Sequence, residues 1–115
     1  MIRRVEFYTT INGKSPISDF LRSLKKEVRE KVLWVLKIIQ DMDRVPIKYF
    51  KKLTGTDGIW EVKVEYESNI YRLFGFFEKN RLIILTNGYQ KKSNKTNRKE
   101  IKLAENYRKE YIKNK

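Results

Sequence analysis

Trp60, Val62, Val64 and Tyr66 alternate with Glu61, Lys63 and Glu65. Alternation of period two puts the apolar set on one face of an extended strand and the charged set on the other, which a helix cannot do. Glu67-Ser68-Asn69 turns the chain and residues 70–77 form a second apolar strand. Glu78-Lys79-Asn80 turns it again and residues 81–86 form a third. Connections this short join antiparallel neighbours, so the second half of the chain is predicted to be a β-meander. Gly75, inside the middle strand, is expected at a bulge or a close backbone approach.

The first half follows other periods. Residues 2–8 are rich in β-formers and predict an opening strand, followed by a polar turn containing Asn12-Gly13. Ser15 ahead of Pro16 is an N-cap with proline at the first helical position, opening a helix to about Leu24. A second helix is predicted over 25–42, where Val28, Val32, Val35, Ile39 and Met42 recur at helical spacing and Leu36 and Ile38 widen the stripe. Near the end, Asn97 with Glu100 fits a capping box, and a helix over 97–112 puts Ile101, Ala104 and Tyr107 or Tyr111 on one side. The order β-α-α-β-β-β-α gives an α+β domain with helices packed against an antiparallel sheet. At 115 residues and 40% apolar content, residues 1–115 are expected to form a single domain with its own core.

Charge narrows the function. Twenty-seven Lys and Arg face fourteen Asp and Glu, a net +13 that calls for a polyanionic partner, nucleic acid first. Residues 90–115 hold ten Lys and Arg against three Glu, so +7 of the +13 lies in this segment. The chain has no Cys and no His, which excludes a thiol nucleophile, a disulfide, a Ser-His dyad and a His-ligated metal. Proton transfer must then use carboxylates, Lys, Tyr, Arg or the substrate itself. No apolar run approaches the ~20 residues of a membrane helix, and Met1-Ile2-Arg3-Arg4 leads into no apolar signal core, so a soluble, cytoplasmic protein without a membrane partner is expected.

Arg72 stands out because it interrupts a strand that is apolar on both sides. It is either paired with Glu61 or Glu65 across the hairpin, or fixed in a cleft where its guanidinium grips a phosphate. If it stands at the cleft edge, outside the core formed by Trp60, Val62, Val64, Leu73 and the second helix, its removal is expected to spare folding. If it is a paired structural residue, its removal is expected to destabilise the protein. Glu61 and Lys63 lie on the polar face of the adjacent strand. They are either solvated or, if that face is concave, converge with Arg72, with Lys51 and Lys52 reaching the same edge. In Asn87-Gly88-Tyr89-Gln90-Lys91-Lys92, Tyr89 offers a stacking face, Gln90 an amide and the lysines phosphate charge, expected on a basic loop.

Three segments together carry a resemblance: Gly58-Ile59-Trp60-Glu61-Val62, then Tyr71-Arg72-Leu73-Phe74, then Asn87-Gly88-Tyr89-Gln90-Lys91-Lys92-Ser93-Asn94-Lys95-Thr96 ahead of Glu100-Ile101. In this order they resemble the HigB-like, phage-derived branch of the RelE/ParE toxin superfamily, over roughly residues 1–112. Three departures stand out. Lys63 replaces an Arg, Asn87 stands where a His is frequent and cannot serve as a general acid or base, and Tyr89 replaces a Phe.

The resemblance implies the toxin of a type II toxin–antitoxin system, a ribosome-dependent mRNA endoribonuclease that needs no cofactor or metal. Its partners would be mRNA on the 70S ribosome, with rRNA contacts, and a cognate antitoxin of helix-turn-helix type. The implied chemistry is attack of the ribose 2′-oxygen on the adjacent phosphate, giving a 2′,3′-cyclic phosphate and a free 5′-hydroxyl. Arg72 would hold the scissile phosphate and Glu61 or Tyr89 would transfer a proton. Lys63, Lys51, Lys52, Asn87, Gln90, Lys91, Lys92 and Lys95 would hold flanking RNA and rRNA. The same fold also implies an alternative, a ParE-like gyrase poison that cleaves no RNA, and the charge alone allows a non-catalytic nucleic-acid-binding protein. Affinity for RNA or ribosomes should fall steeply with salt. Neutralising Lys91, Lys92 and Lys95 together should reduce the slope of log K against log salt by about 2. An unchanged slope in a binding titration would make these lysines a solvated face.

Overall fold

The computed structural model describes residues 1–91 and 97–115. The chain runs β1 (Arg4–Phe7), α1 (Pro16–Arg22), α2 (Lys26–Asp41), β2 (Phe50–Lys52), β3 (Trp60–Tyr66), β4 (Asn69–Lys79), β5 (Leu82–Lys91) and α3 (Arg98–Lys113). The strands form one sheet in the order β1-β5-β4-β3-β2. The meander is antiparallel from β2 to β5. β1 departs from the all-antiparallel expectation and adds to β5 in parallel, with Arg4 opposite Leu82 and Phe7 opposite Leu85. A parallel neighbour needs a long crossover, which α1, α2 and the meander supply.

Each helix forms where its local signals place it. The Ser15 Oγ accepts from the Ser18 amide at 3.4 Å and Pro16 opens α1. The stripe Val28, Val32, Val35, Leu36 and Ile39 of α2 is buried, while Met42, expected within it, is the exposed C-cap. No basic residue lies in the last turn of α2. Arg3 of the opening segment compensates by donating to the carbonyls of Ile39, Met42 and Asp43 at 3.0, 2.7 and 2.8 Å, where the helix dipole favours a cation. Asn97 caps α3 through its Oδ1, which accepts from the Glu100 amide at 3.3 Å.

The helices cover both faces of the sheet. On one face α1 and α2 pack on Phe50, Val62, Val64, Tyr71, Leu73, Ile83 and Leu85. On the other, Ala104 and Ile101 of α3 meet Phe74 and Ile59, and Tyr107 and Tyr111 meet Tyr8, Phe76 and Ile84. Burial, followed by the neighbouring Glu110 carboxylate, raises the Tyr8 phenol well above the ordinary tyrosine value. Two elements differ from expectation. β2 is a three-residue strand, too short to show a period. β5 runs five residues past the expected end at Thr86, so Asn87 to Lys91 form strand where a loop was expected.

A register shift lies between Phe74 and Gly75 of β4. Phe74 pairs with Asn87 and Gly75 with Leu85, which leaves Thr86 as the extra residue of a β-bulge. Both features expected of Gly75 are present, since a Cβ there would lie 2.5 Å from the Ile84 carbonyl oxygen.

The β3–β4 hairpin turns through Glu67 and Ser68 at φ 47° and 70°, both left-handed without a glycine. Such a turn favours Asn-Gly. The double substitution Glu67→Asn, Ser68→Gly should stabilise the fold by about 1 kcal/mol and raise Tm by roughly 4 °C in a thermal melt.

Candidate active site

Strand pairing assembles the site. Lys63 of β3, Arg72 of β4 and Tyr89 of β5 are direct cross-strand partners in one row. One row along, Lys51 is opposite Glu61, Glu61 opposite Phe74, and Phe74 opposite Asn87. Alternation puts both rows on the face that α3 partly covers. The bulge decides the β5 contribution. Ile83 and Leu85 face α1 and α2, and unbroken alternation would have sent Asn87, Tyr89 and Lys91 to the same side. The extra residue at Thr86 reverses that phase and brings Tyr89 beside Phe74 and Ile101 under α3.

Glu61 is 3% exposed rather than solvated, and its Oε1 accepts from Arg72 Nη1 at 2.5 Å. The sequence therefore offered the right partner for Arg72 but did not show that the pair is nearly buried. Arg72 keeps 12% of its side chain exposed. Its Nε and the Tyr89 hydroxyl are buried donors without a hydrogen-bond partner among the described residues. The Asn97 backbone lies close enough to the Tyr89 oxygen to favour the phenolate, while the hydroxyl proton finds no acceptor among the described residues. Burial raises the Tyr89 phenol above the ordinary tyrosine value, against the Asn97 backbone and the Arg72 charge, which act the other way. Lys91 shares the field of this cluster. Desolvation, then the charge of Arg72, with Lys63 and Lys51 adding, lowers its ammonium pKa. Lys63 also pairs with Glu65 at 3.2 Å.

Other candidates fall elsewhere. Lys52 is opposite Trp60 and Gln90 opposite Tyr71, so both belong to the α1/α2 face, where Gln90 Nε2 donates to Asn69 Oδ1 at 3.2 Å. Asn87 is buried and its amide is fully used. Its Nδ2 donates to the Glu100 carbonyl and carboxylate at 3.0 Å each, and its Oδ1 accepts from the Thr86 hydroxyl at 2.7 Å. It ties α3 to the bulge and has no group left for RNA. Gly88 seats α1, since a Cβ there would lie 2.7 Å from the Phe20 ring. Lys92 and Lys95 lie outside the described residues. Lys48 and Tyr49, which line a groove with Lys63 at the sheet edge, carried no sequence signal because they precede a strand too short to announce itself.

No group of three or more His, Cys, Asp and Glu that could hold a metal occurs among the described residues, nor is any described helix long and apolar enough to cross a membrane. The chemistry on offer is a guanidinium, an un-ionised phenol and three ammonium groups on one face of the sheet, suited to binding an anion and stabilising charge that develops on it.

The buried pair corrects the expectation that losing Arg72 would spare folding. Arg72→Ala strands the Glu61 carboxylate and should cost about 3–5 kcal/mol, whereas Glu61→Leu with Arg72→Leu should recover most of it. Denaturant unfolding of the single and double variants measures this. A double variant as unstable as Arg72→Ala would exclude the stranded carboxylate as the cause.

The family model described as "Phage derived protein Gp49-like (DUF891)" matches residues 19–109, a stretch that contains α2, the whole meander and most of α3. No curated protein matches the chain. The chain belongs to this Gp49-like phage-derived family, a RelE/HigB-like family of toxins from toxin–antitoxin systems.

Proposed function

We propose that the protein is a ribosome-dependent mRNA endoribonuclease that arrests translation and is neutralised by a cognate antitoxin. The observation that carries this reading is the pair of buried donors, Arg72 Nε and the Tyr89 hydroxyl, which have no partner among the described residues and lie on residues directly opposite each other. A buried donor without an acceptor costs ~1–3 kcal/mol, which a bound phosphate oxygen restores. Membership of a toxin family and the net charge of +13 agree with a polyanionic substrate.

The geometry supports a division of roles. Glu61 is committed to Arg72 and orients the guanidinium, which makes it a positioning residue and leaves proton donation to Tyr89. Arg72 holds the scissile phosphate while the substrate's 2′-oxygen bonds to phosphorus and the bond from phosphorus to the 5′-oxygen breaks. The 2′-hydroxyl proton passes to water and the departing 5′-oxygen takes the Tyr89 proton, later replaced from solvent. The products are a 2′,3′-cyclic phosphate and a 5′-hydroxyl. Lys63, Lys51 and Lys91 hold the flanking phosphates and neutralise charge on the equatorial oxygens. Positioning and charge stabilisation supply the acceleration, because the nucleophile belongs to the substrate.

Mapping mRNA 5′ ends after incubation with programmed ribosomes tests the proposal. Cleavage should require ribosomes and leave 5′-hydroxyl ends. Arg72→Lys, which keeps a cation for Glu61, should lower the rate by ~10²–10³ through loss of the guanidinium fork. Tyr89→Phe should lower it by ~10–10². Because the phenol is raised above the ordinary tyrosine value of about 10, its proton stays on at lower pH, and Tyr89 should cause no alkaline decline below that pH. Intact mRNA alongside inhibited gyrase would replace this reading with the gyrase-poison alternative.

A further inference from the structure

β2 covers only the first part of the β3 edge, since Lys52, Lys51 and Phe50 pair with Trp60, Glu61 and Val62. The Lys63 amide then donates to the Tyr49 carbonyl at 2.9 Å. Beside this edge lies a groove of about 210 Å³ lined by Lys31, Lys48, Tyr49, Lys63 and Glu65. Trp34, one turn beyond Lys31 on α2, stands against it with its ring 5.9 Å from Tyr49 and edge-on at 88°. Half of Trp34 is exposed, although Val32, Val35 and Leu36 around it are buried. Each ring carries an ammonium group over its face. Lys31 Nζ lies 4.7 Å from the centre of Trp34, and Lys48 Nζ lies 4.9 Å from that of Tyr49.

We propose that this groove is a stacking subsite for single-stranded RNA, taking one unpaired base on Trp34 beside Tyr49 and the adjoining phosphates on Lys31, Lys48 and Lys63. The inference rests on the RNA-cleaving reading and extends it to how substrate is gripped away from the scissile phosphate. Lys63 belongs to both places, being also the direct strand partner of Arg72, so a strand seated here leads across β3 into the cleft. Two π-faces alternating with three ammonium groups match the alternation of bases and phosphates along a single strand. The one carboxylate in the groove, Glu65, is already paired with Lys63. An apolar protein surface would have to bury Lys31 and Lys48, which have no ion-pair partner among the described residues, and that is costly. The lysines over the rings are exchangeable covers, because an exposed cation–π contact contributes only ~0.5–1 kcal/mol and an arriving base frees the ammonium for its phosphate. The volume lies below the ~300–1,000 Å³ of sites that enclose a whole drug-sized ligand, as suits a single base in an open groove.

Tryptophan fluorescence provides the test, with a 2′-O-methyl RNA hexamer that binds but cannot be cut. The only other tryptophan, Trp60, is stacked on Phe50 and edge-on to Phe77. Addition of the hexamer at low salt should quench Trp34 saturably. Anisotropy of a labelled hexamer should show affinity falling on the order of 10-fold or more in Trp34→Ala, with Trp34→Phe retaining most of it. Lys31→Ala with Lys48→Ala should reduce the salt slope by about 1–2. Unchanged affinity in a folded Trp34→Ala, or Trp34 emission that responds to the cognate antitoxin and not to the hexamer, would overturn the proposal. Failure of the nuclease reading is separable from this: ribosomal mRNA would stay intact while the hexamer still quenched Trp34.

Discussion

One extra residue in β5 organises this molecule. With Thr86 inserted opposite the junction of Phe74 and Gly75, the second half of β5 changes phase, and Tyr89 and Lys91 leave the α1/α2 face for the cleft. Three contacts hold the bulge in place. Gly75 has no Cβ and lets the Ile84 carbonyl approach, the Thr86 hydroxyl donates its one proton to Asn87 Oδ1 at 2.7 Å, and Asn87 donates to Glu100 at the start of α3. The bulge therefore sets the aim of the site residues on β5 and the docking of α3 at once. A single irregularity links the sheet to the helix that shelters half of its functional face.

The Glu61–Arg72 pair shows how stability and function compete within that face. A nearly buried ion pair is weak as a source of stability, since removing two charges from water offsets much of their attraction. Its retention makes better sense as geometry. Glu61 takes one guanidinium nitrogen and leaves the Nε buried, unpartnered among the described residues and opposite the phenol of Tyr89. On the proposed function, the folded state carries the cost of these unmet donors and presents them already oriented to an arriving phosphate. Substitutions at Glu61 or Arg72 will therefore disturb fold and chemistry together, and only paired or conservative changes separate them.

Charge acts on two scales. Over the whole molecule the surplus of cations draws a polyanion from a distance and is screened by salt. Within the cleft, Lys51, Lys63, Arg72 and Lys91 stand close enough that desolvation and mutual repulsion weaken the proton affinity of Lys91. A bound phosphate relieves that repulsion, so the local arrangement favours occupancy of this recess over diffuse binding elsewhere on the basic surface.

Much of this was legible in the residues themselves. Period two in Trp60 to Tyr66, helical spacing in Val28 to Ile39, Ser15-Pro16 and Asn97 each report a local preference of the backbone, so elements and caps could be placed from the sequence. Arg72 announced itself as a charge in an apolar strand, with Glu61 among its expected partners. Local pattern could not supply what depends on neighbours far along the chain. The parallel addition of β1, the brevity of β2 and the choice of face for Lys52 and Gln90 follow from strand pairing. Asn87 looked like a residue for RNA and is instead a tie to α3, because its partner Glu100 lies thirteen positions on and meets it only once the helix has docked. The amino-acid sequence by itself determined the elements, the charge and the residue types available for chemistry. The tertiary structure decided which of them face one another, because a one-residue bulge, signalled by Gly75 but given no phase by any periodicity, aims the strand that carries Tyr89 and Lys91.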